Sequence, residues 1–225
     1  MIKIDIREKP VFWINLNDAV DRRACMERMF NKHGFKNVTR VEGVRHPIGK
    51  IGCGKAFLRA FDQAPEEDFI ILEDDCVETK MFRPVISLPE DTDGLYLGIS
   101  MWGLTEGVGG PNIRLDIVDE SIFRIYNMLS AHAIYYRTKD FVKLCRDTVD
   151  HWTHIKEDHH DMGYAENMEN NKVQGSCVEC KTCNKQVNYC TDYVADRKSV
   201  VKFCVECDAR IEEKYKLCIL AAGKG

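Results

Sequence analysis

The chain has 225 residues, 44% of them hydrophobic and 30% charged, with a formal net charge of -4. That composition allows one large domain, or a medium and a small one, and does not describe a disordered chain. The mild negative balance gives no footing to a general nucleic-acid binder, and no apolar run approaches the ~20 residues of a membrane span. Residues 1–9 alternate apolar and charged side chains and do not form a signal peptide. The expected location is therefore the cytoplasm, with no membrane span.

Taken in order, Pro10 opens an apolar run over 11–16 that predicts a buried strand. Asn17 and Asp18 are N-cap candidates for a helix over 19–33, which Gly34 ends. A strand follows over 38–44, then a helix over 51–63 with Phe57, Leu58 and Phe61 inward. Residues 69–72, Phe-Ile-Ile-Leu, are apolar at every position, as in a strand covered on both faces. Further strands are expected over 95–99, 122–126 and 131–136, and a helix over 138–149 with Asp140 in its first turn. Between them, 103–111 carries four glycines and a proline and reads as a loop. The alternation predicts an α/β domain with a mostly parallel sheet flanked by helices. A polar, Asn-rich stretch near 169–174 marks a boundary, giving domains at 1–170, 171–214 and 215–225.

The chemistry concentrates after the buried strand, at Glu73-Asp74-Asp75. In parallel sheets, ligands bind beyond the carboxyl ends of the strands. Carboxylates there offer hard oxygens to Mg²⁺ or Mn²⁺, and such an ion neutralises a diphosphate leaving group. The bland alternative is a solvated acidic turn. A phospho-acceptor domain would place an acid pair after the first strand, where this chain has Asn15-Leu16-Asn17. Arg22 and Arg23 could pair with phosphate or belong to a solvated helix face. Trp102 could stack on a sugar or simply pack. His159 and His160 are adjacent, so their side chains diverge and do not suit one metal.

With those residues in view, the segment 10–168 resembles glycosyltransferase family 25, which includes bacterial lipooligosaccharide galactosyltransferases and collagen galactosyltransferases. The resemblance rests on Phe12-Trp13-Ile14-Asn15-Leu16 with Asp21-Arg22-Arg23, and on Arg40-Val41-Glu42-Gly43-Val44. It continues through Ile51-Gly52-Cys53, Ile71-Leu72-Glu73-Asp74-Asp75, Leu95-Tyr96-Leu97-Gly98 and Ala131-His132-Ala133-Ile134-Tyr135. It implies a GT-A-like fold, a nucleotide-sugar donor such as UDP-galactose, manganese or magnesium, and a glycan or other hydroxyl acceptor. Inverting hexosyl transfer, as in lipopolysaccharide biosynthesis, is the implied reaction. Glu73 and Asp75 would bind the metal, with Asp75 the first choice and Glu73 also reaching the ribose or a metal-bound water. Asn15, Arg22, Glu73 and Asp74 would bind the donor. Asp161 would be the base or an acceptor-binding acid, and otherwise caps a helix over 162–168. One departure stands out: where the family has Ser-His, this chain has Ala56 and Phe57. That substitution keeps open an inactive, glycosyltransferase-like binding module.

Eleven cysteines need a home. Cys25, Cys53, Cys76, Cys145 and Cys218 are scattered and read as small hydrophobes. Cys180-Lys-Thr-Cys183 and Cys204-Val-Glu-Cys207 form two knuckles, twenty residues apart, that predict a small C-terminal zinc ribbon with four thiolate ligands. Cys177 and Cys190 are competing ligands. A ribbon of this kind could make the chain an adaptor for which the α/β domain is only scaffold. Beyond it, Leu-Cys-Ile-Leu-Ala-Ala-Gly-Lys-Gly at 217–225 resembles the first strand and phosphate loop of sugar-phosphate nucleotidyltransferases. The expectation is a truncated start of such a domain.

Overall fold

The computed structural model describes residues 1–78, 82–98, 115–118, 122–125, 129, 131–160, 163–164, 178–179, 186–187, 189–194, 199–204 and 217–220. The frame is a mixed sheet flanked by helices. Its first five strands lie in the order β3 (Asn37–Glu42), β2 (Pro10–Asn15), β4 (Phe69–Glu73), β9 (Ala133–Tyr136) and β6 (Gly94–Tyr96). Three more strands extend that sheet beyond β6: β14 (Leu217–Leu220), β8 (Ile122–Ile125) and β7 (Leu115–Ile117). A separate ribbon pairs β1 (Ile2–Asp5) with β5 (Val85–Leu88).

The expectation of a mostly parallel sheet is corrected. β2 runs parallel to β3 and β4, and β14 to β6, but the other four pairings are antiparallel. The cause is two reversed strands, β9 and β8, each lying between neighbours that run the other way. β2, β3, β4 and β6 still point in one direction, so their carboxyl ends share one edge.

Both faces of the sheet are covered, as the unbroken apolar run of β4 requires. Successive residues of a strand face opposite sides. Phe69 and Ile71 therefore pack with Phe12 under α2 (Gly49–Gln63) and α3 (Lys139–His151). Ile70 and Leu72 pack with Trp13, beneath Met26 and Phe30 of α1 (Val20–His33) and Ile86 and Leu88 of the ribbon. The first face is strongly aromatic: Phe69 stacks on Tyr136 at 5.3 Å, and Tyr136 on Phe141 at 5.7 Å. α1 ends at Gly34, whose φ of 72° lies in the left-handed region that glycine adopts without strain.

Local capping departs from expectation. Asn17 and Asp18 do not cap α1, which begins after Ala19 with no side-chain cap. Their side chains are taken by tertiary partners: Asn17 by Arg40 and Glu42, Asp18 by Arg45. α2 also starts without a side-chain cap, after Ile48. α3 has one, because Thr138 Oγ1 accepts from the Phe141 N–H at 3.4 Å. A π-helical turn, Trp152–Lys156, follows α3.

The cysteine-rich region contributes two antiparallel pairs. β10 (Val178–Glu179) pairs with β11 (Gln186–Val187), and β12 (Tyr189–Val194) with β13 (Ser199–Cys204). The boundary expected near 170 lies outside the described residues. Among the described residues no helix is long and apolar enough to cross a membrane.

Candidate functional site

The carboxyl edge of β2, β3 and β4 carries a connected polar network centred on Asn15. Asn15 is the last residue of β2 and is 1% exposed. Its amide donates to Asp74 Oδ2 at 2.6 Å and to the Ala19 carbonyl at 3.2 Å. Its side-chain oxygen accepts from Arg40 Nε at 3.0 Å and Arg23 Nε at 3.3 Å. Arg40 also donates to the Asn15 carbonyl at 3.1 Å and to Asn17 Oδ1 at 2.6 Å. The buried amide thus has polar partners on both its ends, as burial demands.

Asp74 is the anchored acid of the three. Besides Asn15 it binds Arg22 Nη1 at 2.9 Å, and its side chain is only 12% exposed. That pairing, the largest influence, raises the Arg22 pKa, with Asp75 and Glu73 adding to the effect. Glu73 ends β4 and is half-buried; Asp75 is exposed. The sequence-predicted donor residues Asn15, Arg22, Glu73 and Asp74 are therefore neighbours in space, and Asp75 adjoins them. Arg40, given no role in the sequence reading, is central to the network. Nothing local to its strand marks it, since its role comes from the parallel register that sets it beside Trp13 of β2.

His132 completes the edge on the far side of β4. Its carbonyl accepts from the Glu73 N–H and from the Cys76 thiol, each at 2.8 Å. Its ring lies against Gly98, where an added Cβ would fall 2.6 Å from Nε2 and push the ring aside. Burial lowers the His132 pKa, and the charge of Asp75 opposes that shift. Burial likewise pushes the Cys76 thiol up, aided by Asp75 and Glu73, so it stays protonated.

Can this edge hold a divalent ion? Among the described residues no group of three or more His, Cys, Asp or Glu side chains is arranged to hold a metal. Glu73 and Asp75 are two carboxylates flanking the anchored Asp74. A set of two suits Mg²⁺ or Mn²⁺ provided water and substrate phosphate oxygens fill the other positions.

The other candidates fall elsewhere. Asp161 and Trp102 lie outside the described residues, as do Cys177, Cys180, Cys183 and Cys207. Cys204 ends β13 and Cys190 lies in β12. His160 is buried against Phe57, ring centroids 4.4 Å apart, whereas His159 is exposed. Ala56 and Phe57, at the family's Ser-His positions, are 2% and 0% exposed, so neither reaches solvent. Of the scattered cysteines, Cys145 is buried, but Cys25 is exposed on α1 and departs from the hydrophobic reading.

Compared with known protein families, curated proteins and solved structures, the chain matches none. The resemblance to family 25 therefore rests on the short motifs alone.

Proposed function

We propose that the chain is a glycosyltransferase that moves a hexose, galactose first among them, from a nucleotide-sugar donor to a hydroxyl acceptor. The observation that carries this reading is the anchoring of Asp74 by Asn15 and Arg22. It ties the acidic turn at 73–75, through Asp74 and Asn15, into one hydrogen-bonded network with three arginines, Arg22, Arg23 and Arg40. In this reading the acids would serve a cation and the Arg22 guanidinium a phosphate at the same edge. Two uncapped helix starts, those of α1 and α2, face the same edge and favour negative charge.

In this reading Glu73 and Asp75 would hold Mn²⁺ or Mg²⁺, which stabilises the charge developing on the leaving diphosphate. Arg22 keeps donors beyond the one spent on Asp74, and these can meet phosphate oxygens. Asn15 fixes the network without touching solvent, so it positions Asp74 rather than contacting donor. An inverting displacement also needs a base at the acceptor hydroxyl, the role the resemblance gives to Asp161.

The test is calorimetric titration with UDP-galactose, with Mn²⁺ and then with excess chelator. Binding should require the ion, and Asp75→Asn should weaken it about 100-fold while the melting temperature holds. Binding that is indifferent to both changes would remove the metal role. The apolar Ala56 and Phe57 favour a second reading, a module that binds donor without turnover. Metal-dependent binding with no donor hydrolysis and no transfer would support it.

A further inference from the structure

We propose that residues 154–159 form a latched arch beside the start of α2, and that the ion pair of Lys50 with Asp158 is its latch. Opening the arch would admit a hydroxyl acceptor to the carboxyl edge from the α2 side. The latch stands independently; the acceptor role rests on the transferase reading.

The arch hangs between two buried anchors. Thr153, 2% exposed, sits so close to Gly54 of α2 that a Cβ there would fall 1.9 Å from its Oγ1. His160, 5% exposed, packs its ring against Phe57 of the same helix, centroids 4.4 Å apart. Between them His154, Ile155, Lys156, Glu157 and His159 are exposed and Asp158 is half-buried. Ile155 leaves 71% of its surface in water, so apolar burial does not hold the span down. Among the described residues, one side-chain bond joins the span to α2: Lys50 Nζ, in the first turn of that helix, donates to Asp158 Oδ1 at 2.9 Å. His154 pairs with Asp150, one turn back along its own chain, and adds no tie to α2.

The arch is also strained. α3 runs into it through the π-helical turn, and Glu157 then takes a φ of 51°, the left-handed region that a non-glycine residue enters at a cost. The Asp158 N–H reaches back to the Trp152 carbonyl at 3.0 Å, and Asp158 Oδ1 also accepts from the His159 N–H at 2.8 Å. One carboxylate therefore holds both the tight turn and Lys50. The latch is weak: the Lys50 and Asp158 side chains are 32% and 39% exposed, so water and salt screen their attraction. Backbone strain and an exposed ion pair are of the same order. A balance of that kind opens locally while the fold around it stays closed.

Its place gives the opening a use. Residues alternate faces along a strand, so Asn15 shares with Trp13 the face that α1 covers. Asp74, Arg22 and Arg23 are bonded into the network from Asn15 on that side. α2 covers the opposite face, and its first turn meets the chain leaving β3: a Cβ on Gly52 would fall 2.4 Å from the Val44 carbonyl oxygen. A phosphate taken by Arg22 would occupy the α1 side. The α2 side, where the arch stands, is then left to the second substrate.

The experiment uses the full chain and two readouts. Amide hydrogen exchange across 154–159, followed by mass spectrometry, should speed up about 5-fold in Lys50→Met and in Asp158→Asn, whose Oδ1 can still accept from His159. Lys50→Arg should keep the wild-type rate, and Glu157→Gly should slow it by relieving the turn. Added salt should hasten exchange in wild type and not in Lys50→Met. Equal exchange in wild type and Lys50→Met overturns the latch, and so does a wild type indifferent to salt. The salt dependence of wild type decides the point even where a variant fails to fold. For the acceptor role, water is the probe: with Mn²⁺ present, hydrolysis of UDP-galactose should rise about 5-fold in Lys50→Met, donor affinity by calorimetry unchanged. Faster exchange without faster hydrolysis, in a protein that binds UDP-galactose, overturns that role. A wild type that binds no UDP-galactose removes the transferase reading and the acceptor role with it, and exchange alone then judges the latch.

Discussion

The two edges of the central sheet are built differently. At the amino edge, polar groups are closed off in small clusters of two or three side chains. Lys9 donates to Asp68 at 2.8 Å, Tyr135 donates to the same carboxylate at 2.5 Å, and Thr138 donates to Asp93 at 3.0 Å while capping α3. At the carboxyl edge, Asn15, Arg40, Arg23, Asp74 and Arg22 form one chain of bonds, and the two helices that begin there have no side-chain cap. The amino edge is organised for the fold alone. The carboxyl edge carries more charge than its folding needs and leaves helix starts open, the kind of local inconsistency that functional sites show.

Mutations should separate the edges. The largest effect is expected from Asn15→Ala, which strips partners from Asp74, Arg23 and Arg40 in a buried setting. It should cost about 3 kcal/mol of stability by denaturant titration and abolish donor binding. Retained donor binding in a folded Asn15→Ala protein would dissolve the link between network and site. At the amino edge, Tyr135→Phe should cost about 1.5 kcal/mol through the lost bond to Asp68, with donor affinity unchanged. Thr138→Ala should cost about 1 kcal/mol, again with no change at the other edge. A drop in affinity from either substitution would show that the edges are coupled through the sheet.

The smallest effect is a pH dependence at the end of β1, in the separate ribbon. The Arg7 guanidinium, bonded to Asp5 at 2.9 Å, is the main reason that the Asp5 pKa falls from 3.8 to about 2. A carboxylate whose pKa is depressed in the fold adds stability above its unfolded value and loses it as pH falls through the folded one. The advantage of wild type over Asp5→Asn in thermal melts should therefore be full above about pH 4 and shrink towards pH 2. An advantage that stays constant across that window would show that the Arg7 pairing does not survive in solution.

The body of the sheet was legible because its signals are local. An apolar run at 69–72 and a glycine after residue 33 each specify their element within a few residues. The acids were legible for the same reason, since they end such a run. The β1–β5 ribbon was not, because Ile2 finds Leu88 across 86 residues of chain and neither strand stands alone. The caps of α1 failed for a related reason: Asn17 and Asp18 have strong local preferences, but Arg40, Glu42 and Arg45 offered charged partners from β3 and beyond. Arg40 itself became part of the site only through register.

One pairing sets the order in which this sheet can be finished. β14 lies between β6 and β8, parallel to one and antiparallel to the other, yet Cys218 is made long after its partners Leu95 and Arg124. During synthesis, the facing edges of β6 and β8 must wait without their neighbour until residues 217–220 leave the ribosome. Waiting edges are templates for other chains. A nascent or clipped chain stopping short of Leu217 would carry that exposure permanently, so self-association should begin at the gap between β6 and β8.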